Sequence, residues 1–239
     1  MIRDVCLNIF KNLIVIVTVI KPLFYKKSHI NKLLQFIVIT TLSVFSINLM
    51  AKNTKIVMYG DSISAGYGMQ LHQSWPHLLN EHFKNEKIDI SFVNESISGE
   101  TTGGGVARIS EVIERHQLTK NDWLIIELGG NDGLRGFPIK TIKNNLTLMI
   151  EASQLQGINV AVMQIQVPPN YGKRYSTMFS DIYPDLVNQF ELTLLPFFME
   201  EIAINPNYMM NDKLHPNVSA QVIIRDMMKP LVLSLASKK

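Results

Sequence analysis

Ser62 stands in a Gly60-Asp61-Ser62 turn directly after an apolar run, and His215 lies some 150 residues further on. A serine hydroxyl becomes a nucleophile when a base takes its proton and a third group holds that base in the right tautomer. His215 belongs to the loop Asn211-Asp212-Lys213-Leu214-His215-Pro216-Asn217. Asp212 precedes it by three residues, so one turn can bring a carboxylate to imidazole Nδ1 and leave Nε2 for Ser62. Alone, the pair reads as a solvated acid and a helix-entry histidine, with Pro216 at the helix start. Beside Ser62 the catalytic reading prevails. The remaining histidines lack such a setting: His29 is near the N-terminus, His72, His77 and His82 belong to the first helical region or its entry, and His116 ends the next helix.

Acyl transfer also needs donors aimed at a developing oxyanion. The backbone N–H of Ser62, the backbone N–H of Gly99 and the side-chain amide of Asn131 are candidates, although Asn131 could merely cap a turn and Gly99 merely relieve a positive φ. Other chemistries fail on spacing. The G-x-S-x-G elbow is absent, since Ile63-Ser64 follows Ser62. No Gly-Lys-Ser/Thr follows Gly103-Gly104-Gly105, so these glycines do not make a phosphate loop. No histidine or cysteine spacing suits a metal, and neither metal nor cofactor is expected.

The elements that must position these groups alternate. Short β-rich runs occupy Ile56–Tyr59, Ile88–Val93, Trp123–Leu128 and Val160–Ile165. Amphipathic stretches cover Ser74–Lys84, Gly105–His116, Ile139–Leu155 and Tyr175–Phe190, and Val218–Ala236 closes the chain as a helix. Apolar strands without strict alternation are those covered on both faces. The pattern predicts an α/β fold with a parallel sheet between two helical layers, in one domain over residues 52–239. Ligands of such sheets bind at the carboxyl ends of the strands. There lie three polar turns: Gly60–Ser64, Asn94–Thr101 and Gly129–Asp132.

Residues 1–51 read as a leader. They hold six of the 23 Lys and Arg and one of the 20 acids, so the remainder carries 17 basic and 19 acidic residues, a formal charge of −2. A nucleic-acid partner, which needs a basic face on the folded part, is not expected. Leu33–Ala51 is uncharged and follows Lys26, Lys27 and Lys32. This order suits a secretory signal peptide cleaved near Ala51, with a retained inner-membrane anchor as the alternative. Either way the globular part is expected outside the cytoplasm, periplasmic or secreted. The single cysteine, Cys6, lies in the leader, leaving the mature chain without a disulfide or thiol nucleophile.

Gly60-Asp61-Ser62-Ile63, Gly99, Gly129-x-Asn131-Asp132 and Asp212-x-x-His215 resemble, in order and spacing, the four blocks of the GDSL or SGNH hydrolases. The match is closer still to their periplasmic acyl-CoA thioesterase I, arylesterase and lysophospholipase branch. Supporting strings are Ser98-Gly99-Glu100-Thr101-Thr102, Pro168-Pro169-Asn170-Tyr171-Gly172 and Leu195–Glu200, and the likeness runs from about Lys55 to Leu231. Ile63 replaces the leucine of the family name. The resemblance implies a flavodoxin-like three-layer fold and metal-free hydrolysis through an acyl-enzyme on Ser62. By position, His215 is the base, Asp212 its orienting acid, and Ser62, Gly99 and Asn131 the oxyanion donors. The expected substrate is a small acyl ester, thioester or lipid, with Pro169 and Tyr171, and the Met69–Trp75 loop, as candidate substrate contacts. Membrane contact is expected only through the leader or a lipid substrate, and the chain is expected to be a monomer. A carbohydrate O-acetyl esterase on the same scaffold and a non-catalytic, membrane-anchored binding module are the rival readings.

Overall fold

The computed structural model describes residues 53–238; the leader, its signal-or-anchor alternatives and Cys6 lie outside the described residues. Five parallel strands form one sheet: β1 (Thr54–Gly60), β2 (Ile90–Asn94), β3 (Trp123–Glu127), β4 (Asn159–Met163) and β5 (Thr193–Leu195). Their order is β2-β1-β3-β4-β5. This is the flavodoxin-like arrangement, in which the strand order reverses between β1 and β3 and ligands lie beyond that switch point.

The residues of each strand divide between two cores because successive side chains point to opposite faces. Val57, Tyr59, Leu124, Ile126, Val160 and Val162 pack on one side. There they meet helices α3 (Thr102–His116), α5 (Ile139–Gln154), α6 (Lys173–Ser180) and α7 (Ile182–Phe190). Ile56, Met58, Trp123, Ile125, Ala161 and Met163 pack on the other. Their partners are helices α2 (Trp75–Asn85), α8 (Met199–Ile202) and the terminal α9 (Val218–Ser237). Each fully buried Leu, Ile or Phe contributes roughly 1.5–3 kcal/mol, so the two layers outweigh any single polar contact. Two short helices interrupt the strand–helix turns: α1 (Ser62–Ala65) after β1 and α4 (Gly130–Leu134) after β3.

Three features differ from the expectation. β5 went unread because its three residues sit at the sheet edge just before Pro196, with Leu194 exposed and Leu195 buried. The stretch Tyr175–Phe190 is two helices, not one, separated at Asp181. Pro184 has no N–H to return to the carbonyl of Ser180, which accepts instead from Gln164 Nε2 at 3.0 Å. Finally, Pro216 is not the helix start. It bridges Met209, and Asn217 caps α9 by accepting from the N–H groups of Ser219 and Ala220.

Candidate active site

Ser62 is the first residue of the single-turn α1. Asp61 caps that turn: its Oδ1 accepts from the Ile63 N–H at 3.1 Å, and its carbonyl accepts from the Ala65 N–H at 2.9 Å. Gly66, left-handed at φ 78°, ends the turn. The serine is thereby held at the tip of β1, beside the switch point.

His215 reaches it from a loop pinned at its base. Met209 pairs with Pro216, Met210 N–H donates to the His215 carbonyl at 2.8 Å, and Asn217 N–H donates to the Tyr208 carbonyl at 2.8 Å. At its tip Asp212 makes three bonds. Oδ1 accepts from the N–H groups of Leu214 at 2.9 Å and His215 at 3.0 Å, and Oδ2 lies 2.7 Å from His215 Nδ1. His215 Nε2 lies 2.8 Å from Ser62 Oγ. Residues 153 positions apart in the chain thus meet at hydrogen-bonding distance. The ring of Tyr67 stacks on the imidazole, centroids 4.3 Å apart.

The oxyanion candidates converge on the same hollow. Ser62, Gly99, Asn131 and His215 all line one cavity of about 810 Å³. Gly99 adopts φ 80°, a conformation that disfavours other residues, and no atom lies within 4 Å of where its Cβ would be. Its surroundings are open for a substrate atom to approach. Asn131, on α4, donates its amide to Asp61 Oδ2 at 3.1 Å and to the Glu100 carbonyl at 3.0 Å. An oxyanion would have to share or displace one of those bonds. Behind Asn131, the fully buried Asp132 accepts from Thr102 N–H at 2.8 Å and Thr102 Oγ1 at 2.6 Å, which ties α4 to the start of α3.

The two aspartates of the site sit in opposite electrostatic settings. Burial pushes Asp61 up to about 6, against the pull of the Ile63 N–H, the His215 charge and the Asn131 amide. The His215 backbone N–H, with its imidazole and the Leu214 N–H, holds Asp212 down at about 2. An acid so lowered is ionised at any pH at which the enzyme would work, as the orienting partner of a histidine must be.

Apolar side chains form most of the cavity wall, among them Ile165, Val167, Phe197, Met199 and Leu214. Among the described residues no group of three or more His, Cys, Asp or Glu is arranged to hold a metal ion. One expected substrate contact is corrected. Tyr171 turns away from this cavity: its hydroxyl donates to the Leu134 carbonyl at 2.7 Å, and its ring lines a separate hollow with Phe137 and Tyr175. Pro169 opens the 3-10 turn that carries Tyr171, and Pro168, just before it, lines the cavity. In the Met69–Trp75 segment, Trp75 is wholly buried against Phe92 and Phe198, and it is Tyr67, just before the segment, that forms part of the wall. Sequence reasoning also missed Asp61 and Glu127 as members of the site. Glu127 ends an apolar strand, and a lone acid there was the available signal.

A family model described as GDSL-like lipase/acylhydrolase matches residues 56–226. The chain belongs to that family. It is an ester hydrolase of the GDSL type, and Gly60-Asp61-Ser62-Ile63 is its form of the family's first block. An arylesterase of Vibrio mimicus is 50% identical over 167 residues, covering 70% of this chain and 82% of its own. The thioesterase 1/protease 1/lysophospholipase L1 of Escherichia coli strain K12 is 42% identical over 181 residues, covering 74% and 84%. Among solved structures, the psychrotrophic esterase EstA of a Pseudoalteromonas species, inhibited by monoethylphosphonate, matches with a TM-score of 0.73. The identity there is 42%, over 76% of this chain and 97% of that one.

Proposed function

We propose that this GDSL hydrolase cleaves acyl esters and thioesters through a covalent intermediate on Ser62, with Asp212 and His215 as its acid–base pair. The observation that carries the reading is the unbroken line from Asp212 Oδ2 to His215 Nδ1 (2.7 Å) and from His215 Nε2 to Ser62 Oγ (2.8 Å). Ser62 Oγ attacks the acyl carbonyl while His215 Nε2 takes its proton. The N–H groups of Ser62 and Gly99 and the Asn131 amide receive the negative oxygen of the tetrahedral intermediate. Collapse expels the alcohol or thiol, which leaves with the proton from His215. A water molecule then repeats the sequence on the acyl-enzyme, releasing the carboxylic acid and restoring Ser62.

The apolar wall favours acyl chains over carbohydrate acetyl groups, because each buried methylene adds roughly 0.8 kcal/mol to binding. Lipid-derived or aryl esters are the proposed substrates in place, and thioester cleavage is a capability of the same chemistry. The leader's basic-then-apolar order supports export from the cytoplasm. Among the described residues no helix is long and apolar enough to cross a membrane. Labelling with a fluorophosphonate probe, followed by a panel of p-nitrophenyl esters from acetyl to long-chain acyl, tests the assignment. Ser62→Ala is expected to abolish both labelling and turnover, and rates are expected to rise beyond acetyl. A Ser62→Ala enzyme with near-normal hydrolysis would overturn the role of Ser62, and a preference for acetyl esters would overturn the substrate class.

A further inference from the structure

Beneath the Ser62 turn lies a buried acid that the mechanism above does not use. Glu127 is the last residue of β3, pairs in register with Gly60 of β1, and is 3% exposed. Ser64, fully buried on the same single turn as Ser62, donates its hydroxyl to Glu127 Oε2. A Cβ on Gly60 would stand 2.4 Å from that oxygen, so the carboxyl group occupies the space that a side chain at the strand tip would take. A second set of bonds closes round the same turn from β2. Asn94 Nδ2 donates to the Ser64 carbonyl at 2.8 Å, Asn94 Oδ1 accepts from Ser96 N–H at 3.1 Å, and Ser96 Oγ accepts from Gly60 N–H at 3.1 Å.

We propose that Glu127 is a positioning residue of the ester hydrolysis: wedged under α1, its carboxyl group fixes the place of Ser62 through Ser64. This rests on the reading of Ser62 as nucleophile. The titratable groups around Glu127 are Asp61 and Tyr183, with Asp132 and His215 beyond them against Asp61. None is a fixed cation. Burial first, and the Asp61 carboxylate second, therefore hold the Glu127 proton on well above the usual carboxylate range. An ionised Glu127 would stand buried beside the Asp61 carboxylate, with one hydroxyl bond of its own to offset the charge.

The full-length enzyme distinguishes this role from mere packing. Glu127→Gln keeps the shape, the acceptor oxygen and the missing charge. It is expected to hold kcat within about threefold, with an unchanged pH profile. Glu127→Ala is expected to lower kcat and the rate of fluorophosphonate labelling together, by on the order of 10²-fold, with KM nearly unchanged, because the nucleophile is displaced and the acyl cavity is not. Should Glu127→Ala not fold, Ser64→Ala severs the same link with the acid in place and is expected to show the same split. Infrared difference spectra of wild type against Glu127→Gln, recorded above the usual carboxylate range, are expected to show a carboxylic-acid carbonyl band that the variant lacks. A missing band, a Glu127→Gln enzyme as impaired as Glu127→Ala, or full-rate labelling in Glu127→Ala and Ser64→Ala would each overturn the proposal. Failure of the wild type to label at Ser62 would instead strike the catalytic reading itself.

Discussion

Asp61 and Asp212 both stand within one residue or one hydrogen bond of the proposed reacting pair, Ser62 and His215, yet the fold treats them in opposite ways. Asp61 is buried under the sheet edge, bonded to one backbone N–H and to Asn131, and pushed up to about 6. Asp212 is 41% exposed in its side chain, collects two backbone N–H bonds and the imidazole, and is held at about 2. Burial without a cation raises an acid, and donors converging on its oxygens lower it. The nucleophile's side of the site is thus built into the sheet at some electrostatic cost. The base's side is a surface loop whose order comes from local hydrogen bonds. The same contrast separates activity from stability: changes in the loop should strike the reaction, and changes at the sheet edge should strike both.

The largest effects test the loop. His215→Ala should lower kcat by on the order of 10⁵–10⁶-fold, and Asp212→Ala by on the order of 10⁴-fold, as in other triads. The thermal melt of Asp212→Ala should stay close to wild type, because Asp212 is a surface group. A melt lowered as far as by a core truncation would break the comparison, showing that the loop also holds the fold. Next comes Asn131→Ala, at on the order of 10²–10³-fold in kcat for the loss of one oxyanion donor. Steady-state kinetics on a p-nitrophenyl ester measure all three. An effect on KM alone would remove Asn131 from the oxyanion site.

Asp61→Asn sharpens the contrast most directly, because its two effects should have opposite signs. An acid whose pKa in the folded state is above its unfolded value binds more protons when folded, so folding stability falls as pH rises from about 4 to about 6. Above that range the whole penalty, about 3 kcal/mol, remains. Asparagine removes it. The melting temperature should therefore rise by several degrees at neutral pH and hardly at all below about pH 4. The new amide would oppose its N–H groups to those of Asn131, and kcat should fall by on the order of tenfold. Melts across pH, read beside kcat, decide it: a variant that is less stable at neutral pH would mean that folding does not penalise the Asp61 carboxylate there.

Much of this was legible beforehand because the chemistry is written in short local strings. Ser62 within its turn, Asp212 three residues before His215, and the polar turns after each apolar run mark the proposed reacting groups without coordinates. The five-strand order was legible only as a class, since β5 is three residues long and half exposed and carries no period to detect. The partners that tune the site were not legible at all. Asp61 meets Asn131 across 70 positions, and Glu127 meets Ser64 across 63. Such contacts depend on strand register, and register follows from the whole sheet. Tyr171 misled for the same reason: an aromatic beside prolines looks like a substrate platform until its hydroxyl is found on the Leu134 carbonyl.

The smallest expected effect lies where the two halves touch. Tyr67 leaves α1's side of the site to stack on the imidazole of the loop, with its ring 30° from parallel and the side chain nearly half exposed. A ring contact of this kind adds about 0.5–1.5 kcal/mol beyond burial, enough for a loss of about two- to tenfold in kcat/KM if it holds His215 toward Ser62. Tyr67→Phe keeps the ring and should match wild type; Tyr67→Ala removes it and should show the loss without a lowered melting temperature. Because the ring also walls the acyl cavity, esters of short and long chain must be compared. A loss that is equal for all chain lengths belongs to the histidine, and one that grows with chain length belongs to the cavity.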